Sequence, residues 1–472
     1  MVGITSYGAY IPLYRLPLME IAKAWNVPPR GKGERSVANF DEDSLSMSVE
    51  ASINCLEGIK RSTIDGFYFA TTTSPYAEKM VSTIGATALD FAPSTRTLDF
   101  TNSLRSGTGA LIAAVDAVKA GSLTNVLVAA GDTRLAQTQG ELEQTFGDGA
   151  GAVVIGDMDV AAEIVDIVSI SDEIIDVWRP SSESYVKAWE DRFAFTVGYS
   201  KLIPQVAGML LEKNSLTPQD LARVAITGPT IRRQQGMGKA LGLSSKQYED
   251  SILPNTGNTG TALPLMMLIE ALETSNPGDN IMVLSYSNGC DAILLKVTEN
   301  IKKLKSKIGI KHQLESKKQI PSYQKYLTFK GLVPVAPAAR PDRNPVAAVT
   351  LWRHRKEYLS LYGSRCTECD TQQFPAQKVC VKCHANDQRE MVRLSDKKLS
   401  IFTYTQDNLA ICTDPPAVVG VVEFDGGGRA AFDMTDRDPG EVKVGMNVEF
   451  TFRKLFFNRG IHNYYWKIRP LR

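Results

Sequence analysis

The chain has 472 residues, 43% of them hydrophobic and 22% charged, with a formal net charge of +1. That length predicts two or three domains, and the near-zero charge argues against a wholly cationic nucleic-acid binder. No apolar run reaches the ~18 residues of a membrane span. The opening MVGITSYGAYIPLYR lacks the basic region and long apolar core of a signal peptide, so a cytoplasmic protein with no membrane association is expected.

In chain order, that opening reads as a first strand and SLSMSVEASINCLEGI (44–59) as a helix, with apolar residues at helical spacing. In TNSLRSGTGAL (101–111) a polar turn leads into a helical run, and such a turn can present one side chain to a buried pocket at a helix start. NVLVAAG (125–131), AGAVVIG (150–156), VAITGP (224–229) and NIMVLSY (280–286) are strand-like, and PLMMLIEALE (264–273) is helical. The first 300 residues therefore read as α/β. They contain an internal repeat: Asn102 and Asn255 are each followed five residues later by Gly-Thr, then by a helix and an asparagine that opens a strand. The asparagine-to-strand spacings, 23 and 25 residues, point to a duplicated unit over 1–158 and 159–300. Lysine-rich 301–319 reads as a solvated helix or linker. PVAPAARPDRNPVAA (334–348) reads as an extended connector, making 301–361 a linker and helical lead-in.

The texture changes at 362. Cys366, Cys369, Cys380 and Cys383 are spaced C-x2-C-x10-C-x2-C, which presents two thiolate pairs to one tetrahedral Zn2+. Four thiolates leave no open coordination position, so the zinc of this ribbon (362–388) is expected to be structural and His384 a bystander. Short strand-like runs with Gly and Asp turns follow over 389–472, as in a small antiparallel barrel.

All four histidines, His312, His354, His384 and His462, lie beyond residue 300, so no Ser–His or Cys–His couple forms within 1–300. Cys55 reads as core. Cys290, in the loop SYSNGCDA, reads as packing, with a place at a substrate pocket as the other reading. Tyr76, Tyr199 and Tyr286 are weak candidates for a general base, since an ordinary tyrosine pKa of ~10 would have to be lowered. Asp148 reads as ordering a turn.

The opening VGITSYGAYIP, DEDSLSMSVEA (41–51), SPYAEK (74–79) and FGDGAGAVVIG (146–156), in this order over about residues 1–300, resemble the thiolase superfamily. Within it they resemble the archaeal and bacterial 3-hydroxy-3-methylglutaryl-CoA synthases. Residues 320–472 resemble a rubredoxin-like zinc ribbon followed by an OB-fold, a family linked with acyl-CoA binding that accompanies thiolase-like enzymes. The resemblance implies a layered αβαβα fold, a CoA thioester as substrate and a homodimer. It also implies a cysteine nucleophile, a glutamate acid/base and a histidine, positions that fall here on Leu104, Thr72 and Thr227. The asparagine of the family's glycine-asparagine turn falls on Asn258, with Asn255 as an alternative register; Ser103 adjoins the nucleophile position. A leucine forms no acyl-enzyme. The expected activity is thus non-covalent aldol or retro-aldol chemistry on a 3-hydroxyacyl-CoA. Two alternatives stand beside it: a non-catalytic acyl-CoA-binding partner of a separate thiolase, and a Claisen-type enzyme using Cys290 or Ser103. OB-folds also bind nucleic acid, and FFNRGIHNYYWK mixes aromatic and basic residues, but the fusion to a thiolase-like domain argues against that role.

Overall fold

A computed structural model describes residues 1–29, 31–336 and 346–472. The chain forms two units. One comprises Met1–Ala38, Asp43–Ala86 and Phe91–Tyr326; the other comprises Asn39–Glu42, Thr87–Asp90 and Leu327–Arg472.

The first unit is built on nine strands: β1 (Gly3–Tyr10), β2 (Gly66–Thr71), β3 (Arg96–Thr101), β4 (Val126–Asp132), β5 (Gly149–Gly156), β6 (Ala162–Ser171), β7 (Arg223–Ile226), β8 (Asn280–Tyr286) and β9 (Gly289–Val297). Their order is β7-β8-β9-β6-β1-β5-β4-β2-β3. From the centre outward, β1 runs antiparallel to β5, β5 antiparallel to β4, and β4 parallel to β2. On the other side β6 runs antiparallel to β9, β9 antiparallel to β8, and β8 parallel to β7. The same pattern occurs twice, and the copies meet where Gly3 and Ile4 pair with Glu163 and Ala162.

Helices α1 (Ser44–Cys55), α2 (Ser106–Lys119), α3 (Ser200–Lys213) and α4 (Leu263–Thr274) complete the repeat. Strand alternation fixes their layers. On β8, Ile281 and Val283 join α2 and α4 in one core, while Met282 and Leu284 join α3 in another. A central helical layer between two sheet faces, with outer helices, is the αβαβα arrangement. At the start of α1, Asp43 and Ser46 form a reciprocal capping box, which is why the helix begins inside the DEDSLSMS run.

Two features differ from the sequence reading. α2 starts at Ser106, so Gly107-Thr108 lie in its first turn and not ahead of it. The glycine is required because a Cβ at 107 would stand 2.4 Å from the Thr261 carbonyl oxygen of the other copy. Residues 301–326 belong to the first unit and are no linker, because Ile301, Leu304 and Ile310, set between the lysines, are buried in its main core. Most of the proposed connector, 337–345, lies outside the described residues.

The second unit holds a three-stranded ribbon sheet, with Tyr362–Cys366 flanked by Gln372–Gln373 and Arg389–Arg393, and a five-stranded antiparallel sheet. A parallel bridge between Met434 and Ile468 brings the ends of that sheet together, as in an OB-fold barrel. No helix among the described residues is long and apolar enough to cross a membrane.

The copies of the first unit are cross-tied by two buried aspartates. Asp132, at the end of β4, accepts six hydrogen bonds: from the hydroxyls of Thr71, Thr72, Thr73 and Thr261 and the backbone N–H groups of Thr72 and Thr261. Asp291, on β9, accepts from the Thr108 hydroxyl at 2.6 Å, from Ser169 at 2.8 Å and from both arms of Arg105. Each Gly-Thr threonine thus bonds an aspartate of the opposite copy. Thr261→Val removes a hydroxyl donor from a fully buried carboxylate, and a hydrogen bond to a charged group contributes about 1.5–3 kcal/mol. Denaturant titration is expected to show the first unit destabilised by about that amount, with Ser at 261 restoring most of it.

Candidate active site

α2 and α4 both begin at one end of the sheet, and a cavity opens there. Its empty volume, counted out to its mouth and including open solvent, is about 840 Å³. Leu104 lies on its wall in the turn that leads into α2. Arg105 holds that turn in place through its fork to Asp291 (Nε to Oδ2 3.0 Å, Nη2 to Oδ1 2.5 Å). Thr227, at the end of β7, and Asn258, ahead of α4, line the same cavity. Thr72, Ser103 and Leu104 share an adjoining pocket. The positions that the resemblance pairs with nucleophile, acid/base, histidine and asparagine therefore converge.

Their side chains are committed to structure. The Thr72 hydroxyl donates to Asp132 at 2.9 Å. The Thr227 hydroxyl donates to the Leu284 carbonyl and accepts from the Tyr286 N–H, both at 3.2 Å. Asn258 donates to the Gly228 carbonyl at 3.1 Å and accepts from the Gly260 N–H at 2.9 Å, so both ends of its amide shape the turn.

The remaining candidates divide. Asn255 is not in the cavity wall; it lies in the short helix Ile252–Thr256 and donates to the Ser251 carbonyl. Cys290 is buried in the apolar core around α3, where burial drives its thiol well above its ordinary value, so it is no pocket residue. Tyr76 does not line the cavity either. Tyr199 and Tyr286 do, edge to face with centroids 5.4 Å apart. Burial raises both phenols, and the Tyr199 hydroxyl donates to the Thr227 carbonyl at 3.0 Å. Both shifts move away from what a base requires. A π-helical turn, Phe195–Tyr199, presents this wall, and a Cβ on its Gly198 would strike the Tyr286 hydroxyl.

Sequence reasoning missed the charged groups. Asp176, in the segment after β6, lines the cavity, and burial raises its carboxyl above the ordinary range. The Tyr286 hydroxyl is buried with no partner in hydrogen-bonding geometry, although it and Asp176 each influence the other's acidity. Arg233 pairs with Asp191 (Nη1 to Oδ1 2.8 Å) and lies over the Phe195 ring. Arg134 lines both pockets and is 4% exposed. Asp176 and Arg134 sit in loops and Arg233 in the helix Ile231–Ala240, and only the fold brings them together. The one legible hint was the Thr71–Thr73 run, three hydroxyls in need of a common acceptor.

In the second unit the four ribbon cysteines form a compact set. Their sulfurs all lie within 4.8 Å of one another, with Cys366–Cys383 at 3.6 Å and Cys369–Cys380 at 3.5 Å. Tetrahedral Zn–S bonds of about 2.3 Å imply S···S separations of about 3.8 Å, so the site fits zinc, and the separations are too long for disulfides. The cysteines would hold the ion as a closed structural shell, in which it supplies folding energy and no chemistry. Replacing Cys366 and Cys369 with serine, or stripping metal with a strong chelator, is expected to release about one zinc per chain by elemental analysis. Limited proteolysis should then cut within 362–393.

Family models match in chain order. Residues 98–173 match 3-oxoacyl-[acyl-carrier-protein] synthase III, and 211–297 match its C-terminal part. Residues 359–387 match the ChsH2 rubredoxin-like zinc ribbon domain, and 400–453 match the ChsH2 C-terminal OB-fold domain. The hydroxymethylglutaryl-CoA synthase of Methanosphaera stadtmanae is 30% identical over 344 residues, covering 71% of this chain and 99% of its own. That of Thermoplasma volcanium is 32% identical over 343 residues, covering 70% and 97%. The solved structure of MvaS in complex with 3-hydroxy-3-methylglutaryl coenzyme A superposes with a TM-score of 0.64 at 19% identity, over 72% of this chain and 94% of that one. With the duplicated αβαβα unit and its cavity at the helix starts, these matches place the chain in the hydroxymethylglutaryl-CoA synthase family of the thiolase superfamily, fused to a ChsH2-type zinc ribbon and OB-fold.

Proposed function

We propose that the chain acts on a CoA thioester in the cavity of the first unit, making or breaking a C–C bond by aldol chemistry without a covalent acyl-enzyme. The cavity wall supports this reading: Leu104 lies there at the position that the resemblance pairs with the nucleophile, Thr72 and Thr227 spend their hydroxyls on structure, and the cavity keeps a half-buried carboxylate. Retro-aldol cleavage requires a base and a place for negative charge. Asp176 takes the β-hydroxyl proton of a 3-hydroxyacyl-CoA. The Cα–Cβ bond breaks as the β-carbon becomes a carbonyl, and its electron pair passes into the thioester enolate. Protonation at Cα then yields the shorter acyl-CoA. Backbone N–H groups at the start of a helix serve the enolate oxygen, and one such donor contributes roughly 3 kcal/mol. The reverse addition uses the same groups. The resemblance adds a homodimer through the first unit to this reading.

Incubation with 3-hydroxyacyl- and 3-oxoacyl-CoA esters, followed by mass spectrometry of small molecules and intact protein, tests it. The expected result is a shorter acyl-CoA plus an aldehyde or ketone, with protein mass unchanged. A mass increase equal to an acyl group would instead support a Claisen mechanism through a residue such as Ser103. No turnover until a separate thiolase is added would support a non-catalytic acyl-CoA-binding partner. Leu104→Ala should keep turnover; a loss beyond about a thousandfold with folding intact exceeds what one oxyanion donor contributes and would count against the non-covalent route.

Asp176→Asn should lower kcat by about 10²–10⁴ with binding retained, the usual contribution of a general base. The base must be ionised, so wild-type kcat should rise with pH through a carboxyl pKa above the ordinary aspartate range, because burial raises Asp176. A flat profile through the acid limb, or an unchanged kcat in the variant, removes Asp176 from that role.

A further inference from the structure

The zinc ribbon buries two successive glutamines, Gln372 at 4% exposed and Gln373 at 6%. Side chains along a strand point to alternate faces, and residues 371–374 use both. Thr371 and Gln373 turn to the metal site. The Thr371 hydroxyl lies 3.2 Å from the Cys369 sulfur, and the Gln373 Oε1 accepts from the Val381 N–H at 2.6 Å, inside the second Cys-x2-Cys pair. Gln372 and Phe374 turn to the barrel. Gln372 Nε2 donates to the Asp425 carbonyl at 3.0 Å, and Phe374 stacks on Phe432 with ring centroids 5.8 Å apart. Asp425 opens the turn that joins the strands Ala417–Phe424 and Arg429–Asp433. Its next three residues, Gly426, Gly427 and Gly428, have φ of 92°, 87° and 89°. Glycine alone takes such a run at little cost, and a Cβ would in addition stand 2.2 Å from Gln372 Nε2 at 426 and 2.4 Å from the Gln372 carbonyl oxygen at 428. The glycine turn thus closes directly on Gln372.

We infer that residues 371–374 carry the metal state of the ribbon to the barrel, so that the Asp425–Gly428 turn is held while zinc is bound and released when zinc is lost. A closed thiolate shell fixes the two cysteine pairs against each other. Without the ion the Val381 N–H is no longer fixed relative to Gln373, and the strand Gln372–Gln373 keeps two paired positions, Arg365 and Ser364. So short a strand, with few bonds of its own, belongs to the low-stability end of a fold. The turn is just as dependent. Ordering three glycines costs more backbone entropy than ordering any other three residues. Gln372 grips it by a single side-chain hydrogen bond, since its Oε1 is buried with no hydrogen-bond partner among the described residues. A shift of about 1 Å takes such a contact out of hydrogen-bonding range. Nothing in this coupling depends on the CoA-thioester reading.

Hydrogen exchange of the full-length protein, read by mass spectrometry, tests the coupling. The amides of Phe424, Asp425 and Gly427 donate to the carbonyls of Gly428, Lys398 and Phe424, so their exchange reports on the turn. On removal of zinc with a strong chelator they should exchange about tenfold or more faster, while the paired strands Asn447–Asn458 and Ile461–Pro470 change by less than about twofold. Gln372→Ala, carrying about one zinc per chain by elemental analysis, should exchange over 424–427 as metal-free wild type does. Unchanged exchange over 424–427 on metal removal overturns the inference. So does faster exchange spread evenly over 399–470, which means unfolding of the whole barrel, and so does slow exchange retained in zinc-loaded Gln372→Ala. The wild-type comparison decides the first two points by itself, so a variant that fails to fold or to hold zinc does not shield the proposal.

Discussion

The first unit depends on one constraint: two helices must start side by side, nearly touching, at the centre of a duplicated sheet. Gly107 allows the approach, since a Cβ there would stand 2.4 Å from the Thr261 carbonyl oxygen. Asp132 and Asp291 hold it, each taking the hydroxyl of the Gly-Thr threonine that belongs to the other copy. A buried carboxylate is tolerable only when its lone pairs are filled, and here threonine-rich turns fill them. The helix starts, the Leu104 turn and the cavity are therefore set by the same hydrogen bonds.

Hydrogen bonds to structure also hold the side chains at two of the positions that the resemblance pairs with the family's reactive groups. Thr72 and Thr227 are small, β-branched and hydrogen-bonded to structure, so they close the space without adding a titrating group. What remains reactive is fixed charge: a half-buried Asp176, the Arg233–Asp191 pair and Arg134. In a partly enclosed cavity such charges act more strongly than at an open surface.

Much of this was legible in the sequence, and what was not has a common cause. The apolar runs at 125–131 and 280–286 lie within one residue of β4 and β8, because strands buried on both faces read as continuous β-branched stretches. The four thiols were fixed by local spacing. The Asn–Gly-Thr repeat gave the duplication, since its elements recur in the same order. Arg134, Asp176 and Asp291 were not legible. Each owes its meaning to a partner, or to the lack of one, brought close by the fold from far along the chain. Asp291 meets Thr108 across 183 positions, and no window of sequence contains both. The start of α2 was misplaced for the same reason, because Gly107 answers to Thr261 and not to its neighbours in the chain.

The second unit meets a different difficulty, that of stabilising a small β-rich body. Zinc in the closed thiolate site is one answer. The other is a buried ionic cluster. Arg453, fully buried, pairs with Asp41 at 3.2 Å, Glu42 at 2.7 Å and Asp436 at 2.6 Å, and Lys467 meets Asp41 at 2.8 Å. Burial pushes the Asp41 carboxyl up, but Lys467 and Arg453 overcome this and hold it down at about 2. A carboxyl depressed in the folded state contributes stability above its unfolded value and loses it as pH falls toward the folded one. The cluster therefore holds throughout the neutral range, and its charges are all answered from within the unit. In the first unit's cavity Arg134 has no such answer among the described residues. Arg453 and Arg134 are both buried, and of the two it is Arg453 that carboxylates enclose.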